Sequence, residues 1–340
     1  MNAFDAVEAG DARALGLALD SGADVNAQLA GDSLLNLACE GGSFECVKLL
    51  LDRGADINAV SRAGHKPLFD AVVSARDIAM VSLLVERGAK LGELNELYDG
   101  ELKTAAAGLF ASDTLNVMDM AFFDQLIERF GADALNLEAR LGSPDMGDKT
   151  LMLDACEKGF IPLVSRLTDL ECDLFALTHP DQRGVLHQLM VNADVAKSME
   201  SLAIARGLIE AGADVDAEDD AGITPLHLAC DMDEPRLLKE FLDAGADFDK
   251  QTDIGRPIDT AFEAQSARCI VLLMHRYGLT PFDDFEGQSI ESRLQGNSKQ
   301  LEYLGEMRGE YAKKVEYGIV GSLFEQAKPV RGKSRSLGMM

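Results

Sequence analysis

Gly212, Gly245 and Gly278 stand 33 residues apart twice over, and each follows a short amphipathic stretch. A fixed period of this size marks a stack of small units, none of which can bury a core without its neighbours. A chain of 340 residues would otherwise divide into two or three globular domains. The period replaces that expectation with one elongated array.

The unit between Asp219 and Gly278 explains itself residue by residue. In Thr224-Pro225-Leu226-His227-Leu228-Ala229-Cys230, the threonine hydroxyl caps a helix and Pro225 takes the first helical position, where no N–H is needed. Leu226, Ala229 and Cys230 fall on one face at offsets of three and four, and the two small residues let a second helix lie close. That second helix spans about residues 236–243, with Leu237, Leu238, Phe241 and Leu242 as its stripe. Gly245 is the left-handed stop, and Ala246-Asp247-Phe248 leads into a hairpin-like turn.

These residues resemble the ankyrin repeat, whose pattern G-x-T-P-L-H-x-A-A closes on G-A-D-hydrophobic-N; Gly222 to Asp247 carries the match. The resemblance implies an all-α solenoid of eight to nine helix pairs with short hairpin-like fingers. It also implies that His187 and His227 are structural, hydrogen-bonded between turns, and that the protein binds another macromolecule.

Taken in order, residues 4–11 read as a first helix and residues 15–19 as its partner, an N-terminal cap ending on Gly22-Ala23-Asp24. Ser33 to Cys39 and Lys66 to Val72 repeat the motif, closing at Gly54 and Gly88. The next steps, to Gly131, Glu171 and Gly212, are longer, which predicts three expanded repeats over 89–211. Their extra residues fall in an enlarged finger at 98–101, a turn region at 138–148, and a loop between helices at 192–201. Insertions on solenoids map to loops, often on the binding side. Beyond Gly278, residues 289–294 and 300–307 read as a last helix pair and 311–324 as a capping helix. The expected organisation is a repeat array over 1–280, a degenerate repeat with its cap over 281–325, and a basic disordered tail over 326–340 carrying Lys328, Arg331, Lys333 and Arg335.

The formal net charge of -26 argues against direct nucleic-acid binding, which needs a Lys/Arg surface, and suits a basic partner. Acids recur in the slots that packing leaves free, the finger tips and the solvent side of the first helix. The candidate partner-binding residues are Glu40, Asp70, Asp154, Glu157, Asp231, Asp233 and Glu263 on the helices, with Glu218, Asp219 and Asp253 at fingers. Along a regular stack these slots form one concave acidic strip.

Catalytic and metal signatures are missing from the sequence. Six cysteines show no C-x-x-C pair and no zinc-ligand spacing. Cys39, Cys156 and Cys230 share one packing slot, so they are expected buried, reduced and silent, as in a reducing cytoplasm. Gly332-Lys333-Ser334 lacks the rest of a phosphate loop. No apolar run is long enough to span a bilayer, and the N-terminus has no signal core. The reading is a monomeric, cytoplasmic, non-enzymatic protein-binding module with no metal or cofactor and with a basic protein partner. The alternative is an acidic inhibitor that imitates nucleic acid and blocks a DNA- or RNA-binding enzyme.

Overall fold

A computed structural model of the chain describes residues 2–97, 102–110, 117–143, 147–280, 283–294 and 298–316. They fall into two compact units, Met1–Gln188 and Leu189–Met340. The expected finger at 98–101 and tail at 326–340 lie outside the described residues.

In the first unit, helices alternate as first and second members of a pair. They are α1 (Ala3–Glu8) with α2 (Ala12–Asp20), α3 (Leu34–Glu40) with α4 (Phe44–Asp52), α5 (Pro67–Asp70) with α6 (Ile78–Glu86), α7 (Ala105–Leu109) with α8 (Val117–Phe130), and α9 (Leu151–Glu157) with α10 (Ile161–Asp169); α11 (Val185–Gln188) ends the unit. First helices pack on first helices (α1 on α3, α3 on α5, α5 on α7), and second on second (α2 on α4, α4 on α6, α6 on α8). Capping fixes where each helix starts. The hydroxyls of Ser33 and Thr104 accept from the backbone N–H groups of Asn36 and Ala107 at 3.1 and 3.2 Å. Asp11 and Asp77 cap α2 and α6 in the same way. The small residues of the motif, Ala38, Ala106 and Ala155, are fully or almost fully buried, as close helix approach requires.

Among the described connections of this unit, a single left-handed residue turns a first helix into its second. In most pairs of this unit it is glycine, as at Gly42 (φ 69°), but α5 runs on through a π-turn to Arg76 at φ 51°. The strained arginine is put to use: its guanidinium reaches the buried Asp119 of α8 at 2.7 Å.

The fingers depart from isolated hairpins. β1 (Gln28–Leu29) and β2 (Asp32–Ser33) do form a separate pair. The later fingers join into one antiparallel sheet of β3 (Asn95–Glu96), β4 (Leu102–Lys103), β5 (Leu141–Ser143) and β6 (Gly147–Lys149), and Asp148 bridges onward to His179. The expected turn region at 138–148 is therefore mostly hairpin. It supplies the strands that tie three fingers together. Gly64, at φ 86°, seals the other side: a Cβ there would lie 1.9 Å from the Glu96 carbonyl oxygen, so no other residue fits.

The second unit holds α12 (Ala193–Ala196), α13 (Met199–Glu210), α14 (Pro225–Asp231), α15 (Pro235–Asp243), α16 (Pro257–Glu263), α17 (Ala267–Arg276), α18 (Ile290–Arg293) and α19 (Ser298–Glu316). The loop expected at 192–201 is largely α12 and the start of α13. The two helices expected at 300–307 and 311–324 are one continuous helix to Glu316, which runs on through Gly309; 317–324 lie outside the described residues. Phe285, which stands among acids in Asp283-Asp284-Phe285-Glu286, is buried between Phe262 (5.8 Å) and Tyr277 (5.3 Å), with Arg293 and Arg256 over its ring. Aromatic burial, not acidity, holds the last finger in place.

A row of ion pairs runs along the second helices. In the first unit Arg53 meets Asp20 (2.8 Å), Arg87 meets Asp52 (2.7 Å), Arg129 meets Glu86 (3.8 Å) and Arg166 meets Asp124 (2.8 Å). In the second, Arg276 meets Asp243 (2.6 Å) and Arg206 forks onto Glu240 (2.9 and 2.6 Å). Each pair links one repeat to the next.

Candidate protein-binding surface

Four first helices, α3, α9, α14 and α16, are seven residues long and end on an acid: Glu40, Glu157, Asp231 and Glu263. The end of a helix presents unbonded carbonyls, so a carboxylate there is unfavourable by about 0.3–1 kcal/mol. Glu40, Asp231 and Glu263 are exposed and have no ion-pair partner among the described residues, as is also true of Asp253 at its finger tip.

The other expected positions are engaged. Two are corrections outright. Asp70 is 4% exposed: its Oδ1 lies 2.8 Å from His65 Nδ1, and its Oδ2 accepts from Asn36 Nδ2 at 3.4 Å. Asp219 is 7% exposed because its Oδ1 accepts the N–H groups of Ala221 and Ile223 at 3.0 and 2.9 Å, building the finger turn. Neither faces solvent, since each does local structural bonding that short acidic side chains perform well. Asp154 and Glu157 are neutralised from the inserted hairpin, whose Lys149 stands 2.9 and 2.7 Å away, while Lys158 takes Asp154 from the other side at 2.9 Å. Glu218 is paired with Lys250 at 2.5 Å. Asp233 occupies the left-handed turn position (φ 53°) and clamps Arg268 of α17 at 2.9 Å, the mirror in charge of Arg76 and Asp119.

In the first unit Glu40 lines a cleft of about 430 Å³ with Asn36, Ser61, Arg62, His65 and Asp70, between a finger and the first helices. Its floor is a bonded network. Asn36 accepts from Ser33 at 2.6 Å and donates to the next finger at the His65 carbonyl, 3.1 Å away. In the second unit His227 does the same work. Its Nδ1 meets Thr224 Oγ1 at 2.9 Å, and its Nε2 donates to the Gly255 carbonyl at 3.3 Å. Burial pushes the His227 pKa down, so the ring is the neutral Nε2–H tautomer. The motif histidine is structural, and asparagine substitutes for it at Asn36.

Cys39, Cys156 and Cys230 are buried, and burial raises the pKa of the Cys39 and Cys156 thiols, which leaves them poor nucleophiles. Among the described residues no group of three or more His, Cys, Asp or Glu side chains is placed to hold a metal ion. No described helix is long and apolar enough to cross a membrane.

Comparison with known proteins places this geometry in a family. Residues 3–95 match the model "Ankyrin repeats (3 copies)", and residues 221–253 match the model "Ankyrin repeat". Among solved structures the chain is similar to the ankyrin repeat domain of Bcl-3, described as a unique member of the IkappaB protein family. The likeness has 24% sequence identity and a TM-score of 0.57, and it covers 73% of this chain and 100% of that one. At that identity it shows the fold. A search of curated proteins finds no match. With repeat models matched on both sides of the expanded middle and the fold shared across most of its length, the chain carries ankyrin repeats and has the ankyrin-repeat fold.

Proposed function

We propose that the chain is a non-enzymatic protein-binding module whose partner is a basic protein, met by the carboxylates that end the first helices and stand at the finger tips. Ankyrin repeats generally mediate protein–protein interaction. The observation that carries the finer reading is the division of charge. The second helices spend their arginines on acids of neighbouring repeats. Glu40, Asp231, Asp253 and Glu263 are left exposed and unpaired among the described residues, three of them at helix ends where local stability disfavours a negative charge. Sites that break a local rule without a structural return are where function is to be sought. Such charges steer a cationic surface and speed its association.

Affinity capture with the full chain at low and at high salt tests this. A basic protein recovered at low salt and lost at high salt, and lost at low salt too when Asp231 and Glu263 are both replaced by Lys, is the expected result. Recovery indifferent to salt and to the double replacement would move the interface elsewhere. The nucleic-acid-mimic reading is the special case in which DNA or RNA competes with the chain for the recovered protein.

A further inference from the structure

Phe175 breaks the pattern of its own repeat slot. The residue four places after the closing landmark is Asn26, Asn58, Asp216 and Asp249 after Gly22, Gly54, Gly212 and Gly245, and Gly92, Leu135 and Phe282 after Gly88, Gly131 and Gly278. Its usual work is to reach the next repeat: Asn26 Oδ1 accepts the Asp56 N–H at 2.8 Å, Asp216 Oδ1 accepts the Asp247 N–H at 2.9 Å, and Asp249 Oδ1 accepts the Tyr277 hydroxyl at 2.7 Å. In the repeat closing at Glu171 the slot holds Phe175, which can accept nothing and is 67% exposed, the most exposed large apolar side chain among the described residues. A bonding slot has been given over to a bare aromatic face.

The backbone that carries the ring is held in place. Its own N–H is held by Asp173 Oδ1 at 2.8 Å, and the Asp173 N–H is held in turn by Glu138 Oε1 at 2.9 Å. It borders a cleft of about 400 Å³ lined by Arg140, Asp148, Asp173, Thr178 and His179, where the finger sheet ends. The guanidinium of Arg140 is already committed: it donates to the Leu177 carbonyl and lies 3.8 Å from Asp148. What the cleft offers an incoming group is therefore an aromatic face beside the exposed carboxylate of Asp173.

We propose that Phe175 and Asp173 form an anchor site for an arginine side chain of a basic partner segment, the guanidinium lying flat on the ring and bonding the carboxylate at its edge. Arginine fits better than lysine because its planar head stacks on an aromatic face while its N–H groups remain directed outward. An aromatic flanked by a polar rim is also the usual composition of an interface hot spot. The inference rests on the basic-partner reading above and adds a specific receptor in the expanded middle of the chain.

Fluorescence anisotropy of a labelled oligoarginine peptide with the full chain tests it at about 0.15 M salt. Phe175→Ala and Phe175→Leu should each weaken binding about threefold to tenfold, Phe175→Tyr should bind as the wild type, and Asp173→Asn, which keeps the oxygen that holds the Phe175 N–H, should weaken binding similarly. Oligolysine should bind the wild type less tightly. Leu17→Ala, at another exposed apolar residue, should change nothing. Failure of oligoarginine to bind the wild type would overturn both this inference and the basic-partner reading. Binding that is equal in wild type, Phe175→Ala and Phe175→Leu would overturn this inference alone. So would loss in Phe175→Ala but not in Phe175→Leu, equal affinity for oligolysine, or an equal loss in Leu17→Ala.

Discussion

The acids of the second helices and those of the first helices carry the same charge in opposite circumstances. Asp20, Asp52, Asp124 and Asp243 each meet an arginine one repeat on. Glu40, Asp231 and Glu263, at the ends of first helices, meet none among the described residues. In the expanded middle the inserted hairpin abolishes the difference, since Lys149 quenches Asp154 and Glu157. Net charge alone therefore says little about where a partner would be drawn. The placement of the few cations decides which carboxylates remain available.

The strongest way to break this comparison is to remove a cation whose acid is buried. Asp119 is 2% exposed and pairs with Arg76, itself partly exposed. Arg76→Ala should destabilise the protein by about 2 kcal/mol, below the usual cost of stripping a fully buried pair because water reaches the arginine side. A urea titration that shifts by less than about 0.5 kcal/mol would show that Asp119 does not depend on Arg76.

A middle-sized effect sharpens the contrast between bonding slots and free slots. His227→Asn copies the residue that this chain itself uses at Asn36, and should cost about 1 kcal/mol if the shorter side chain misses the Gly255 carbonyl. Burial lowers the His227 pKa in the fold. Below the ordinary histidine range, about pH 6.5, the unfolded chain takes up a proton that the folded chain refuses. Wild-type stability is thus full above that range and is lost as pH falls through it, whereas the Asn variant should show a shallower loss. His275, also lowered by burial, keeps some slope in both. Parallel melting curves against pH would contradict the neutral-ring assignment.

The smallest effect belongs to the exposed row itself. Arg87→Ala removes a pair exposed on both sides and should change stability by under about 0.5 kcal/mol. A loss above 2 kcal/mol would mean that the second-helix row carries the stack, rather than consuming cations at little energetic gain.

How much of this was legible in the sequence follows from the period. The motif slots fixed the helix pairs that open at Ser33 and Lys66, and the buried Cys39, Cys156 and Cys230, because packing repeats with the motif. The burial of Asp70 and Asp219 was not legible. An acid that builds a turn and an acid that faces solvent have the same spacing, and only the positions of His65, Asn36 and the Ile223 N–H separate them. Nor could the stretched middle reveal its sheet or the reach of Lys149, since the insertions removed the register by which its neighbours would be found. Phe175 did leave a signal, an aromatic in a slot that is Asn or Asp in four other repeats, readable once the repeats are laid over one another.

The central claim is that exposed carboxylates at the first-helix ends recruit a basic partner, and its most direct test is the association rate of the captured partner measured against ionic strength. Wild type should associate fast at low salt and slow by about tenfold or more as salt rises. Asp231→Lys combined with Glu263→Lys should start about tenfold slower and respond little to salt. Its melting temperature should be unchanged or raised, because lysine suits a helix C-terminus where the acids did not. Rate curves that superimpose for the two proteins, each properly folded, would contradict the account.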